Sequence, residues 1–507
     1  MSDLSQNIGN SSISKIAKHP VLPVMLLCLA SGVGASLFTT SPHRNGVEWG
    51  LVLCAGGLLC LWGLLTACKR MPQWGHGVCW WGIGFFLRLR YILHFPYTSM
   101  QHDVGDFSMP DHHAGYILHF YHGNGLPAFD VRDVWQFYHP PLHHILCAGW
   151  MHLMEYIGLS QEQMYESVQV LPFTYGCLLL VVFGLMLQHF GLKREAFVFP
   201  FAIFAVHPSL IILSGSINND MLSILFMGTS LLLTLRWYRE PKFSTILALA
   251  LTIGLGMFTK LSAWMAAPAA AFVFLLRLVK DKEIRMKYVV QYLLFGCVCV
   301  PIGMFWPLRN KLGWDVPLAY IPRITANTGQ YVGDRSISER LLDFSASQFA
   351  YIYDCFSDYG QAYSEYNPLI GLLKTAVFDE FVNTDRFPHV QYFGEILFWS
   401  QVVLAVLVLV ALVSVFFSKA LMPEKMALLL TYGITLLCYF AFCLTYPHTC
   451  TQSFRYAVPT LYASLLFLGL GLDRKPLPLP GKAVLGAATG VFIGASALIF
   501  GVLLYLS

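Results

Sequence analysis

The feature that most constrains this chain is the recurrence of unbroken apolar runs about 20 residues long, the length that spans a bilayer as a helix. Thirteen occur, at 20–40, 49–68, 78–95, 168–189, 196–214, 221–238, 243–259, 262–279, 288–308, 393–417, 426–446, 456–472 and 483–505. In hydrocarbon only a helix or a closed barrel satisfies every backbone polar group, and runs of this length select the helix. Of the 507 residues, 56% are hydrophobic and only 12% charged, about half the charged share of a soluble domain. An ordinary soluble enzyme, a nucleic-acid binder and a disordered scaffold are excluded. The expected fold is an all-α polytopic membrane protein with about thirteen transmembrane helices.

Charge sorting sets the orientation. With the N-terminus in the cytoplasm, the inner segments hold nineteen basic residues, among them Lys69, Arg70, Lys193, Arg194, Arg236, Arg239, Arg277, Lys280 and Lys425. The outer turns and the first outer segment hold four: Arg44, Arg132, Lys260 and Arg455. Basic residues stay on the cytoplasmic side, so this orientation is expected. The first apolar run reads as a retained span rather than a cleaved leader. The run 141–158 is short and carries His143, His144 and His152. It reads as an amphipathic helix on the outer surface, because crossing there would invert every later loop.

Two long segments then face outward, 96–167 and 309–392. The chain divides into a cytoplasmic tail with two N-terminal spans (1–77), a transmembrane module with outer loop 96–167 and its juxtamembrane helices (78–310), a second outer loop (311–392) and C-terminal spans (393–507). No internal repeat of the transporter type is evident. The thirteen cysteines are scattered, many inside apolar runs, and define no metal or redox spacing.

The unusual residues gather on the outer side. Ten of the seventeen histidines lie between 94 and 152, with Asp103, Asp106, Asp111, Asp130 and Asp133. Asp103, nearest the end of the third run, is the candidate base; Asp106 stands beside it as a substrate contact, and Asp111 reads as a helix N-cap. In Tyr138-His139-Pro140-Pro141 the prolines start a helix and fix Tyr138 and His139; His143 follows on that helix. Asn218, Asn219 and Asp220 precede and open the sixth run, with Asn218 or Asp220 as a cap or the three as sugar or metal contacts. Lys260 is the one charge in its outer turn, placed either to snorkel or to meet a lipid phosphate. Arg455, followed by Tyr456, opens a late span and suits a phosphate through its guanidinium fork. Arg88 and Arg90 lie inside the third run, where a charge usually faces a polar interior. The series Phe349, Tyr351, Tyr353, Phe356, Tyr359, Tyr363 and Tyr366 reads first as a headgroup belt.

In order along the chain, Asp103, His139-Pro140-Pro141-Leu142, Asn219-Asp220, Thr259-Lys260 and Arg455-Tyr456 resemble the motifs of the GT-C membrane glycosyltransferases. Within these, the chain is similar to relatives of the protein O-mannosyltransferases and the lipid A aminoarabinose transferases. The resemblance covers about 78–472. It implies inverting transfer of a sugar from a polyprenyl- or dolichyl-phosphate donor to a hydroxyl of a lipid, glycan or protein acceptor. Asp103 would be the base, and Lys260 and Arg455 would hold the leaving phosphate. It implies no required cofactor; a divalent metal on His102, His112 and His113 is the alternative. The expected location is a bacterial inner membrane with the site facing the periplasm, or the endoplasmic reticulum. Two other functions fit this composition: a flippase for lipid-linked sugars, and a metal-dependent transferase of the outer leaflet.

Overall fold

The computed structural model describes residues 21–506, except 282, 284, 327, 350–365, 384–385, 419 and 475–478. Tyr351, Tyr353, Phe356, Tyr359 and Tyr363 therefore lie outside the described residues. Among those described, the chain is helical throughout, and the one β contact is an isolated bridge between Tyr331 and His448.

Nine of the described helices are long and apolar enough to cross a membrane. The expected thirteen are not reached on that measure, and the four remaining runs show why. Gln73–His94 is a 22-residue helix diluted by His76, Arg88, Arg90 and His94. The run 196–214 is broken into Glu195–Ala205 and Pro208–Leu213, because Pro208 lacks the N–H needed to continue a helix. Phe243–Thr259 and Pro459–Arg474 are apolar but only 17 and 16 residues long. Lipid contact is plain on the second helix, Arg44–Ala67, where Trp49, Leu53 and Leu64 are exposed. Apolar exposure on that scale is stable only against lipid, so the protein is an integral membrane protein.

The N-terminal pair is packed against the rest rather than appended to it. Val21–Phe38 lies along Val170–His189, and Arg44–Ala67 along Gln73–His94. Glu48 is buried and meets Arg44 (2.9 Å), His94 (3.1 Å) and Arg90 (3.7 Å). The Arg90 guanidinium also lies 4.0 Å over the Tyr505 ring, joining both ends of the chain. Partnering of this kind is what allows charge inside a bundle.

The first outer segment carries its own small core. His112–Tyr121 packs on Leu142–Tyr156, burying Ile117, Cys147, Ala148 and Met151 with Val104 and Phe107. Leu142–Tyr156 is 15 residues long, buries one face and exposes Ile145, Leu146, Leu153 and Tyr156, the pattern of a surface-lying helix.

The second outer segment departs from a plain loop. The preceding helix runs on to Trp314, as Arg285–Trp314. Pro368–Phe378 is a buried helix wedged against Pro208–Leu213, Gln391–Phe416 and the Phe454–Tyr456 turn. Asn367 caps it by accepting hydrogen bonds from the Leu369 and Ile370 N–H groups. Residues 368–378 are apolar enough to pack inward but too short to span, so hydropathy alone leaves them in the loop.

Candidate active site

Several of the sequence-selected groups meet in one cavity of about 260 Å³ at an end of the bundle. Asp103, Tyr138, His139, Asp220, Lys260, Arg455 and Tyr456 line it. These seven arrive from five places in the chain: the segment after Gln73–His94, the entry to Leu142–Tyr156, the start of Asp220–Arg239, the end of Phe243–Thr259 and the turn before Pro459–Arg474. Trp264, Ile224, Met227, Met265 and Phe442 form the apolar part of the wall.

Two ion pairs set its electrostatics. Arg455 Nη2 donates to Asp103 Oδ2 at 3.1 Å and to the Tyr456 hydroxyl at 2.7 Å. Lys260 Nζ donates to Asp220 and lies 5.2 Å from the Tyr456 ring centroid. Asp220 is further held by Asn218, which receives the Asp220 N–H at 3.0 Å and donates to Oδ2 at 3.1 Å. The two acids differ in access: the Asp103 side chain is 44% exposed, that of Asp220 only 5%. Asp103 therefore presents part of its carboxylate to the cavity, whereas Asp220 is buried against Lys260. Burial works against the charge on Arg455, but Tyr456, Asp103, Glu380 and Asp220 outweigh it and hold its pKa well above the usual arginine value. Arg455 Nε is buried without a hydrogen-bond partner, a donor left for a ligand.

His113 and His139 add imidazoles to the wall, with His144 behind them. His113 Nδ1 and His144 Nε2 share a hydrogen bond at 2.9 Å, and His113 stacks on His139 with centroids 5.5 Å apart. Burial pushes His113, His139 and His144 well below the ordinary histidine pKa, and neighbouring charges add to this. The Tyr138 hydroxyl is raised, by burial and then by Asp103. Asp103 (φ 53) and Gln136 (φ 70) both take left-handed backbone, and both line the cavity. Gln136 Oε1 is buried without a partner. Strained backbone and an unsatisfied acceptor at one cavity are typical of a ligand site.

Four of the expected contacts, and one expected cap, go elsewhere. Arg88 is fully buried away from the cavity; its Nη1 donates to the carbonyls of Gly84 (2.9 Å) and Ala205 (2.7 Å), so it ties two helices together. Asp106 lies outside the wall and accepts the Ser108 N–H at 2.7 Å. His143 turns into the small core, with Nε2 3.4 Å from Cys147 Sγ. Asn219 points away and donates to the Thr259 carbonyl at 3.0 Å, leaving Asn218 in the wall. Asp111 occupies the N-cap position of His112–Tyr121, yet its carboxylate makes no cap bond and pairs with His112 at 2.9 Å.

The expected metal set does not converge. His112 pairs with Asp111, His113 bonds His144, and His102 joins Asp379 and Glu380 from the second outer segment. Burial opposes a charge on His102, and Asp379 outweighs it, raising the imidazole pKa to about 9. The sequence reading missed Asp379 and Glu380 because nothing local marks them. Gln136 and Trp264 had a signal: each lies within four residues of a selected cavity residue.

No protein-family model matches the chain, and no curated protein does. Among solved structures, it is similar to the oligosaccharyltransferase of Archaeoglobus fulgidus, crystallised with Zn and sulfate, at 13% identity and a TM-score of 0.47. That likeness covers 84% of this chain and 53% of the other, so this chain spans about half of that protein. It is also similar to ArnT from Cupriavidus metallidurans, bound to undecaprenyl phosphate, at 14% identity and a TM-score of 0.35, over 78% of this chain and 77% of that one.

Proposed function

We propose that this protein is a membrane glycosyltransferase that moves a sugar from a polyprenyl-phosphate donor to an acceptor hydroxyl, with inversion, on the non-cytoplasmic face. The observation that carries the reading is the accessible carboxylate of Asp103 beside the cations Arg455 and Lys260, in a cavity whose remaining wall is mainly apolar. Such a cavity at the end of membrane helices suits a phosphate that carries a lipid chain.

In this reading, the donor phosphate displaces Asp103 from Arg455, while Lys260 keeps its bond to Asp220 and turns another of its N–H donors to the phosphate. Arg455 swings its fork from Asp103 to the phosphate, using the spare Nε, and Lys260 meets a second oxygen. That exchange leaves Asp103 free to accept the proton of the attacking hydroxyl. The hydroxyl oxygen forms the new bond to the anomeric carbon while the bond to the phosphate oxygen breaks, and the electron pair leaves with the phosphate. Cations preset in a water-poor site stabilise that developing charge by several kcal/mol. The neutral imidazoles of His113 and His139 keep further positive charge away from the base and offer hydrogen bonds to sugar hydroxyls.

The test is turnover of a polyprenyl-phosphate sugar by the purified protein, with mass spectrometry of envelope glycans in cells with and without it. Asp103→Asn is expected to reduce turnover by about 10²–10⁴-fold, the usual contribution of a positioned base, while donor binding persists. Near-normal turnover in Asp103→Asn would remove Asp103 from the role.

A further inference from the structure

We infer that His102, Asp379 and Glu380 form a binding site for one divalent transition-metal ion, which clamps the loop carrying Asp103 to the end of the Pro368–Phe378 helix. This site is separate from the ion pairs of the cavity, and it does not depend on the transferase reading.

The ligand atoms converge. One atom from each residue lies within 4.8 Å of the other two. His102 Nε2 is 3.0 Å from Asp379 Oδ1, and Nδ1 is 3.7 Å from Glu380 Oε2. Three ligands held at about 2.0–2.2 Å from one zinc-type ion lie about 3.3–3.8 Å from one another, so a pair at the 4.8 Å limit closes by about 1.0–1.5 Å when the ion enters. One imidazole with two carboxylates is a donor set for divalent transition ions.

A second observation separates this from a plain ion pair. The His102 side chain is fully buried, yet neither ring nitrogen makes a hydrogen bond of acceptable geometry, and Glu380 Oε1 is also buried without a partner. The carboxylates are near the ring but off its N–H directions. An imidazolium paired with acids aims its N–H bonds at them; a metal ligand set aims its lone pairs at a common point instead. Charge agrees once the entering ion displaces the imidazole proton, since a neutral imidazole, two carboxylates and a divalent ion sum to zero, which burial demands.

The clamp has a defined consequence. His102 directly precedes Asp103. Pro368–Phe378 also holds the other half of the cavity, because Thr375 Oγ1 accepts the Phe454 N–H at 2.8 Å, one residue before Arg455. An ion at this place fixes Asp103 relative to Arg455. It positions them and takes no part in bond exchange.

The experiment loads the detergent-purified full chain with zinc chloride, removes loosely held metal by gel filtration, and measures zinc per chain by mass spectrometry of the element. The expected result is one equivalent in the wild type and in His112→Gln, and a loss of at least tenfold in His102→Gln and Asp379→Asn that elute as folded monodisperse protein. Should those variants fail to fold, cobalt replaces zinc in the wild type, and its visible absorption must show nitrogen and oxygen ligation. Wild-type protein without bound zinc, or a His102→Gln variant that retains it, would overturn the site and leave a buried ion pair in its place.

Discussion

Lys260 and Asp220 form a pair in which each answers the other's burial, and this shapes how their removal reads out. Taking away Lys260 alone leaves a buried carboxylate unpaired, a change that destabilises by several kcal/mol. Lys260→Ala is therefore combined with Asp220→Asn, and the double variant is compared with Asp220→Asn. A charged hydrogen bond contributes about 1.5–3 kcal/mol, so the double variant and Arg455→Ala are each expected to weaken binding of a polyprenyl phosphate by about tenfold or more. Titration of the lipid phosphate into nanodisc-held protein measures this. Undiminished affinity in both returns Lys260 to snorkelling and Arg455 to holding Asp103 alone.

At the scale of elements, the outer helices His112–Tyr121 and Leu142–Tyr156 share a core built partly from imidazole. Burial lowers the His143 pKa to about 4, and His113, His139 and His144 also fall below the ordinary value. The folded state then binds fewer protons than the unfolded one, whose histidines titrate near 6.5. Stability is full above that pH and falls as the pH drops toward 4. His143 alone accounts for about 2 kcal/mol lost at pH 5. Thermal unfolding in detergent is expected to come earlier at about pH 5 than at about pH 7.5, and His143→Gln to narrow the gap. Equal midpoints at both pH values contradict the assignment. A second variant probes the same element: a Cβ on Gly115 would lie 2.4 Å from the Pro110 carbonyl carbon. Gly115→Ala is expected to destabilise by about 1–3 kcal/mol through overpacking, read as an earlier midpoint, whereas Gly149→Ala, unobstructed and inside a helix, is expected to give a midpoint no earlier than that of the wild type.

For the whole molecule, the prediction concerns sidedness. Asp103, Asp220, Lys260 and Arg455 line one cavity, and the nineteen-to-four charge asymmetry predicts that it faces away from the cytoplasm. Single cysteines placed beside these four residues, in a background cleared of accessible native cysteines, are expected to react with a membrane-impermeant reagent added from outside. Labelling of any one only after the membrane is opened breaks the topology.

Most of the architecture and part of the cavity were legible along the chain. Hydropathy is a local property, so apolar runs mark helices wherever they fold, and basic residues sort by side through the same one-dimensional rule. Turn residues such as Asn218-Asn219-Asp220 and Thr259-Lys260 were visible because a charge at a membrane boundary stands out against its neighbours. Residues whose meaning depends on a distant partner were not. Arg88 carried the same sign and depth as a substrate ligand, but only the packed helices supply the Ala205 carbonyl that makes it a strut. His102 stood among many histidines, and Asp379 and Glu380 lay 277 and 278 residues further on, in a segment too short to register as a span. Asp103 and Arg455, 352 residues apart, each had a local signal, yet their contact had none. The sequence by itself determined that the chain is helical and enters the membrane, and it marked the nine described helices that are long and apolar enough to cross, because this follows from transfer energies of single segments. Only the tertiary structure decided which charges neutralise one another, because that depends on through-space distance after the helices have packed.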